Sequence, residues 1–237
     1  MIDIHCHILP GLDDGVEYVE ESLEMAKTAA RNGIHTIIAT PHHANGRYEN
    51  PAKDINALVH QFNNLLQAQQ IPVKVLAGQE IRINNRLIDE LMEKTAMPLN
   101  QGNYILIELP NGSFPDNLEE LFHELRVFGL IPIISHPERY RSFMEEPDRL
   151  YSLIEQGAMS QITDQSLIGL SGRRIQKNAL KLCKRHLVHF IASDAHNLTT
   201  RSFHLREAYE YIQQKLGQEY TQYFQSNAQS LVDNQPI

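Results

Sequence analysis

The sequence predicts an α/β fold, a distorted TIM-like (β/α)7 barrel, and three observations carry that expectation. Short β-branched runs alternate with amphipathic stretches at helical period, giving seven strand-then-helix units in about 200 residues, just short of a full eight-unit barrel. The runs IIAT, ILIEL and IPIIS are nearly continuous and apolar, as in parallel strands buried on both faces. Histidines and carboxylates collect where the strands end, on the rim where barrel active sites are built. The rival architecture, a doubly wound open sheet, calls for a glycine-rich phosphate loop after the first strand. Gly11 and Gly15 do not supply one.

Taken in order, Ile2 to His5 is the first expected strand. A helix from about Tyr18 to Asn32 follows and ends at Gly33, a residue suited to the left-handed position past a helix end. His35 to Thr40 is the second strand. Asn50 then offers an N-cap, and Pro51 a first helical residue, for a helix running through Gln69. Val73 to Gly78 and Tyr104 to Leu109 are the third and fourth strands. Asp116 or Asn117 opens a helix that stops at Gly129. Ile131 to Ser135, Ser160 to Thr163 and His189 to Ser193 complete the strands. Gly172 precedes a basic helix ending near His186, and a longer helix spans about Ser202 to Leu216. Gln218 to Ile237 reads as a terminal helix with a polar, flexible tail.

The 237 residues, 42% hydrophobic and 21% charged, suit one domain over residues 1–237, with the short C-terminal helix and tail beginning near 218. No internal repeat, low-complexity segment or linker interrupts it. No apolar run approaches the roughly 20 residues of a membrane-spanning helix. The segment Met1 to His7 lacks the basic and apolar stretches of a signal peptide, so the cytoplasm is the expected location. Two cysteines, Cys6 and Cys183, make no disulfide scaffold. A formal charge of −8 argues against nucleic acid as a partner, and nothing in the sequence sets an oligomeric state.

The 12 histidines are the salient feature. Strand one ends in His5-Cys6-His7, with Asp14 just beyond, and strand two in Thr40-Pro41-His42-His43. Strand three ends at Glu80, strand four at Glu108 and strand five in His136-Pro137-Glu138-Arg139. Strand seven ends in Ser193-Asp194-Ala195-His196. Residues i and i+2 of a strand share a face, so His5 with His7, and Asp194 with His196, can each grip one ion. Nine such groups exceed what one ion accepts and suit two or three, with Glu80 the candidate bridge between them. Nitrogen and oxygen ligands without thiolate favour zinc, manganese or iron over calcium or magnesium.

An isolated histidine is ordinarily a hydrogen-bonded core residue, and His35, His60, His123, His186, His189 and His204 are read so. His43 is equally well a supporting group or a bystander. Cys6 is expected to face packing, away from its flanking ligands. Asp13 and Glu138 are read as loop or supporting groups, and Asp164 has no metal spacing around it. Arg139, three residues past His136, and Arg201, five past His196, can hold a phosphate bidentately at the mouth of such a site. Arg82, Arg141, Arg173 and Arg174 are weaker candidates for substrate contact. No P-loop and no Gly-x-Ser-x-Gly elbow occurs. Leu12 and His189 stand where a cysteine phosphatase would carry its arginine, so catalysis is expected to rest on metal-activated water.

In these residues the chain resembles the polymerase and histidinol phosphatase (PHP) superfamily, from the His-x-His of strand one to the Asp-x-His of the last. MIDIHCHILPGLDDG, ATPHHANG, GQEIRI, IEL, ISHPERY and ASDAHN are similar, more narrowly, to the PHP-type protein-tyrosine phosphatases of Gram-positive bacteria, over Met1 to about Asn227. The resemblance implies a PHP-type barrel with a trinuclear site. His5, His7, Glu80 and Asp194 would bind one ion, Glu80, Glu108 and His136 a second, and Asp14, His42 and His196 a third. It makes manganese the favoured metal, with iron, cobalt or zinc as alternatives, and gives Arg139 and Arg201 to the phosphate. It implies phosphotyrosine hydrolysis by a metal-bridging hydroxide, on a bacterial tyrosine autokinase that controls capsule or exopolysaccharide synthesis.

The alternative within the superfamily is a small-molecule phosphomonoesterase such as histidinol phosphatase, because a metal site reads phosphate rather than leaving group. A metal-dependent amidohydrolase also begins with His-x-His, but often bridges its metals through a modified lysine where this chain offers glutamates. An inactive scaffold of the same fold would have lost ligands, and none is lost here.

Overall fold

Every strand pairing in the computed structural model, which describes residues 1–110, 112 and 114–237, is parallel, giving an α/β fold with two parallel sheets. The first sheet orders β1 (Ile2–Cys6), β2 (Thr36–Ala39) and β4 (Lys74–Ala77). The second orders β3 (His42–His43), β5 (Glu80–Arg82), β6 (Tyr104–Glu108), β7 (Ile131–Ser135), β8 (Met159–Thr163) and β9 (Phe190–Ala192). Parallel strands need crossovers, and the helices α1 (Val19–Arg31), α2 (Ala52–Ala68), α4 (Leu118–Val127) and α8 (Arg173–Lys184) supply most of them, while α9 (Leu205–Leu216) follows the last strand.

The second and third expected strands are each split in two. Pro41, which has no N–H to donate, separates β2 from β3, and Thr40 N instead donates to Cys6 O at 2.9 Å. Gly78 and Gln79 separate β4 from β5. A Cβ on Gly78 would lie 2.7 Å from a Leu99 methyl and 2.8 Å from one of Ile38, so the backbone passes there only as glycine. The Gln79 side chain, fully buried, donates to Asn50 O and Thr95 O and accepts from Met97 N. These breaks turn the ends of both strands, so that His42 and Glu80 become Cα partners in one sheet.

The helix ends follow the sequence closely. Tyr18 caps α1, and Gly33 at φ +86° lets its own N–H reach Ala30 O while Ile34 N reaches Ala29 O, closing the helix as the glycine anticipates. For α2 the cap is Pro51 rather than Asn50. The Asn50 amide instead bridges Leu12 O and His42 O, tying the β3 segment to the loop after β1. Short helices at α3 (Leu87–Met92), α5 (Arg141–Glu145), α6 (Pro147–Glu155) and α7 (Asp164–Ile168) have no counterpart in the sequence reading.

The expected terminal helix is present as α10 (Gln218–Val232), which spans most of the segment and buries Phe224, Ala228 and Leu231. Ala228 and Leu231 join a core group with Ile4, Ile38, Leu106, Ile133 and Phe190, side chains from five strands across both sheets. A second, larger core group lies between strands and helices.

Candidate active site

The strand ends place all nine sequence-predicted ligands together. His5 and His7, at and just past the end of β1, set their Nε2 atoms 3.2 Å apart. Each lies 3.3–3.5 Å from Glu80 Oε2 and 3.4–3.5 Å from Asp194 Oδ1. On one side of this group, His42 Nδ1 is 3.1 Å from Glu80 Oε2 and 3.7 Å from Glu108 Oε2, while His136 Nε2 is 3.0 Å from Glu80 Oε1. On the other, Asp14 Oδ1 lies 3.4 Å from His42 Nε2 and 3.3 Å from His196 Nε2. Glu80 therefore faces four histidines at its two oxygens, and His42 faces two clusters, one through each ring nitrogen. The family resemblance implies His42 for the third ion alone.

Supporting groups fix how these rings point. Asp13 Oδ2 takes His7 Nδ1 at 2.6 Å, leaving Nε2 turned to the centre, and it also accepts the His42 N–H at 2.9 Å. Its other oxygen accepts Gly15 N, and a Cβ on Gly15 would come within 2.5 Å of His7 O. Gln161 Oε1 holds His5 Nδ1 at 2.8 Å, and the backbone oxygen of Asp194 holds His196 Nδ1 at 2.9 Å. Such contacts to the outer nitrogen set tautomer and ring orientation. Two ligand candidates, His136 at φ 36° and Asp194 at φ 52°, sit in the left-handed backbone region, where strain is held by surrounding contacts.

Several buried atoms in this centre have no hydrogen-bond partner among the described residues: Glu80 Oε2, His42 Nδ1 and His196 Nε2. Buried polar atoms are normally satisfied, so a cluster of them aimed at one place fits a site built for cations. The electrostatics agree. Burial raises the pKa of Glu80 and of Asp194, yet His5 and the other facing cations outweigh it, and both stay well below the ordinary carboxylate range. The close approach of His196 and His42 likewise holds Asp14 down. Glu108 is raised, first by burial and then by Glu80 beside it. Burial would lower His7, but Asp13 lifts it to about 9, and Asp13 itself falls to about 2 against its own burial.

Arg139 and Arg201 converge on Asp194. Arg139 donates to Asp194 Oδ2 at 2.7 Å and to Thr163 Oγ1 at 3.1 Å, and Arg201 Nη2 reaches both Asp194 oxygens at 2.9–3.0 Å. Thr163 is steadied by fully buried Glu138, which accepts its N–H and its hydroxyl. Arg82 turns inward to hold Glu108 at 2.9–3.0 Å, so it supports a ligand candidate rather than facing substrate.

The minor residues divide. His43 is buried and accepts Asn50 N through Nδ1, which supports the loop rather than the centre. Cys6 packs in the core, with its thiol 3.6 Å from Ala195 O. The reading of the remaining histidines as core residues needs correction: His35, His60, His123 and His186 are exposed, and only His189 and His204 are partly buried. Each of the four sits on a helix or loop whose inward positions are taken by apolar neighbours. The sequence reading missed Gln161, Thr163 and Asp3. Asp3 is fully buried and binds Ser193 through N and Oγ, tying β1 to the segment bearing Asp194. Their available signal was a polar side chain within an otherwise apolar strand.

A parallel α/β fold that gathers histidines and carboxylates at its strand ends, with cation-seeking atoms left unpaired, defines a metal-dependent hydrolase. The chain belongs to the CpsB/CapC family of capsular polysaccharide synthesis, whose pattern matches residues 1–233. It is 46% identical to the tyrosine-protein phosphatase YwqE of Bacillus subtilis, over 100% of this chain and 93% of that protein. It is 32% identical to the tyrosine-protein phosphatase CpsB of Streptococcus agalactiae, over 100% of both. A solved structure from the pair YwqE of Bacillus subtilis and CpsB of Streptococcus pneumoniae, described as unique metal-dependent tyrosine phosphatases, superposes with a TM-score of 0.97, covering 100% of this chain and 96% of that one. The phosphotriesterase homology protein of Escherichia coli, 11% identical, shares the fold at a TM-score of 0.58, covering 96% of this chain and 97% of its own. The resemblance to capsule-type tyrosine phosphatases is thereby borne out.

Proposed function

We propose that this chain is a metal-dependent protein-tyrosine phosphatase of capsule or exopolysaccharide synthesis, acting in the cytoplasm on phosphotyrosine in a bacterial tyrosine autokinase. The observation that carries the reading is the set of unpaired ligand atoms on Glu80, His42 and His196, beside two arginines that converge on Asp194, in a member of the CpsB/CapC family. The chain acts as one unit over residues 1–237, and its two sheets are read as a single distorted (β/α)7 barrel. Supporting that, β2 with β3 and β4 with β5 each continue one strand. Cys6 also forms a parallel bridge to Ala195, with Asp194 N donating to His5 O, which joins the first strand to the last.

The residues present fit two or three divalent ions. Separations of 3.2–3.5 Å among His5, His7, Glu80 and Asp194 are those of adjacent ligand atoms around an ion with bonds of about 2.1 Å. These four would hold one ion, Glu80, Glu108 and His136 a second, and Asp14, His42 and His196 a third, with manganese favoured and iron, cobalt or zinc as alternatives. Bound there, such ions would bring the pKa of water down towards neutrality and screen the charge of a phosphate.

The chain's own residues do the rest. A guanidinium has five N–H donors, and Arg139 commits two of them to Asp194 and Thr163. Its remaining donors, with those of Arg201, are free for the non-bridging phosphate oxygens, whose charge they offset as it builds. Asp194 fixes both guanidinium planes before substrate arrives, so little ordering is required on binding. Tyrosine leaves as a phenolate with a parent pKa of about 10, so the site needs no strong general acid.

A small-molecule phosphatase is not favoured, since the relatives matched along the whole chain are named tyrosine-protein phosphatases. The test is phosphate release from a phosphotyrosyl peptide by metal-stripped protein, with and without manganese. Manganese-dependent turnover exceeding that on histidinol phosphate is expected, and preference for histidinol phosphate would overturn the assignment.

A further inference from the structure

Arg139 has a second face. Away from Asp194 it lines a cleft of about 430 Å³ whose other walls carry Arg141, Arg173 and Arg174 over Met144 and Ile175. Four arginines meet there in a chain of net charge −8. Arg139 and Arg141 are matched by Asp194 and Glu145, but among the described residues Arg173 and Arg174 pair with no carboxylate. Both are exposed at the start of α8, following the turn in which Gly169 and Gly172 take φ of +89° and +98°. The two walls are fastened together, because Asn178 Nδ2 of α8 donates to Glu138 O at 3.1 Å in the turn that carries Arg139. The cleft is therefore preformed, apolar at its base and cationic at its rim.

Resting on the tyrosine phosphatase reading, we infer that this cleft is a second anion subsite, which binds a phosphate or carboxylate on a residue flanking the target phosphotyrosine of the same peptide. Unmatched guanidiniums in a chain of the opposite net sign concentrate anions locally, whereas the rest of the surface repels them. Because Arg139 forms one wall of the cleft and also reaches the candidate centre, a peptide extended across it can place one anion at each. The apolar base at Met144 and Ile175 accommodates the stem or ring that carries the flanking anion. The subsite selects among phosphotyrosines by their neighbours, a choice that the phosphate-reading centre cannot make.

The test compares the full-length, manganese-loaded protein with its Arg173→Ala/Arg174→Ala variant on three phosphotyrosyl peptides: one with neutral flanks, one with a flanking glutamate and one with a second, flanking phosphotyrosine. Wild-type KM is expected to be about tenfold lower for an anionic flank than for the neutral one. The double variant should lose that advantage while kcat, neutral-peptide kinetics and p-nitrophenyl phosphate turnover stay unchanged. An advantage with both anionic peptides assigns the subsite to any anion, and one with the phosphorylated flank alone assigns it to phosphate. Equal loss on all three peptides, or no loss, overturns the inference. So does loss of sedimentation with phosphatidylserine vesicles while the peptide preference survives, since the cleft would then face a membrane. Fluorescence anisotropy with a labelled peptide bearing a non-hydrolysable phosphonate separates the two levels. If no phosphotyrosyl peptide is turned over but the variant still weakens binding of the anionic peptide, the phosphatase reading fails and the cleft stands. Unweakened binding rejects the cleft on its own.

Discussion

At the scale of single residues, the centre divides into groups that reach a ligand and groups that aim them. Arg139 and Asp13 stand for the two kinds, and their substitutions should fail differently. Arg139→Ala removes a donor from the phosphate while Arg201 still holds both Asp194 oxygens. Activity is expected to fall by about 100-fold or more with metal content retained, as measured by kinetics alongside elemental analysis. Metal loss in parallel would return Arg139 to a structural role. Asp13→Ala frees His7 Nδ1 and the His42 N–H together. Metal affinity should drop by roughly 10–100-fold, read by titration of the stripped protein, and unchanged affinity would remove Asp13 from the centre. The nine ligand candidates were legible in the sequence because two-residue spacing at strand ends is local information. Gln161 and Thr163 were not, since their roles depend on residues 156 positions away in one case and 24 in the other.

At the scale of elements, β8 and β9 are joined by more than their ladder. His189 Nδ1 accepts Ser160 N, and its carbonyl accepts Asn227 Nδ2 of α10. Burial lowers its pKa to about 4. The unfolded chain, with histidine near 6.5, binds more protons between those values, so stability rises with pH across that window and is fully present above it. His189→Asn keeps an acceptor for Ser160 without titrating. It should flatten the pH dependence of the melting temperature between about 4 and 6.5, removing a difference of about 3 kcal/mol. An identical pH profile would show that the ring is solvated. For α10, Leu231→Ala is expected to cost about 2–5 kcal/mol in urea denaturation, because the side chain is fully buried in the core group shared by both sheets. A cost near zero would mean that the helix is dispensable. The sequence places a helix here but does not show how it docks, because polar composition does not reveal which few apolar residues find a core.

At the scale of the whole molecule, the carboxylates Asp14, Glu80, Glu108 and Asp194 are brought together by four strands and the loops that follow them, at a cost that the surrounding contacts must offset. Cations relieve it, so chelation should lower the melting temperature by about 5–10 °C and manganese should restore it. No shift on chelation would mean that the centre is stable without ions. The alternation of the main strands with the longer helices, the parallel pairing and the ligand candidates follow from the sequence alone, because hydrophobic period and strand-end spacing act over a few residues. Only the tertiary structure decided that strands two and three break at Pro41 and Gly78, that His42 faces two clusters at once, and that both arginines share Asp194. It also decided that four arginines from two distant segments form a cleft. Each of these is a meeting of side chains far apart in the chain, and it is set by the packing of the whole fold rather than by any local pattern.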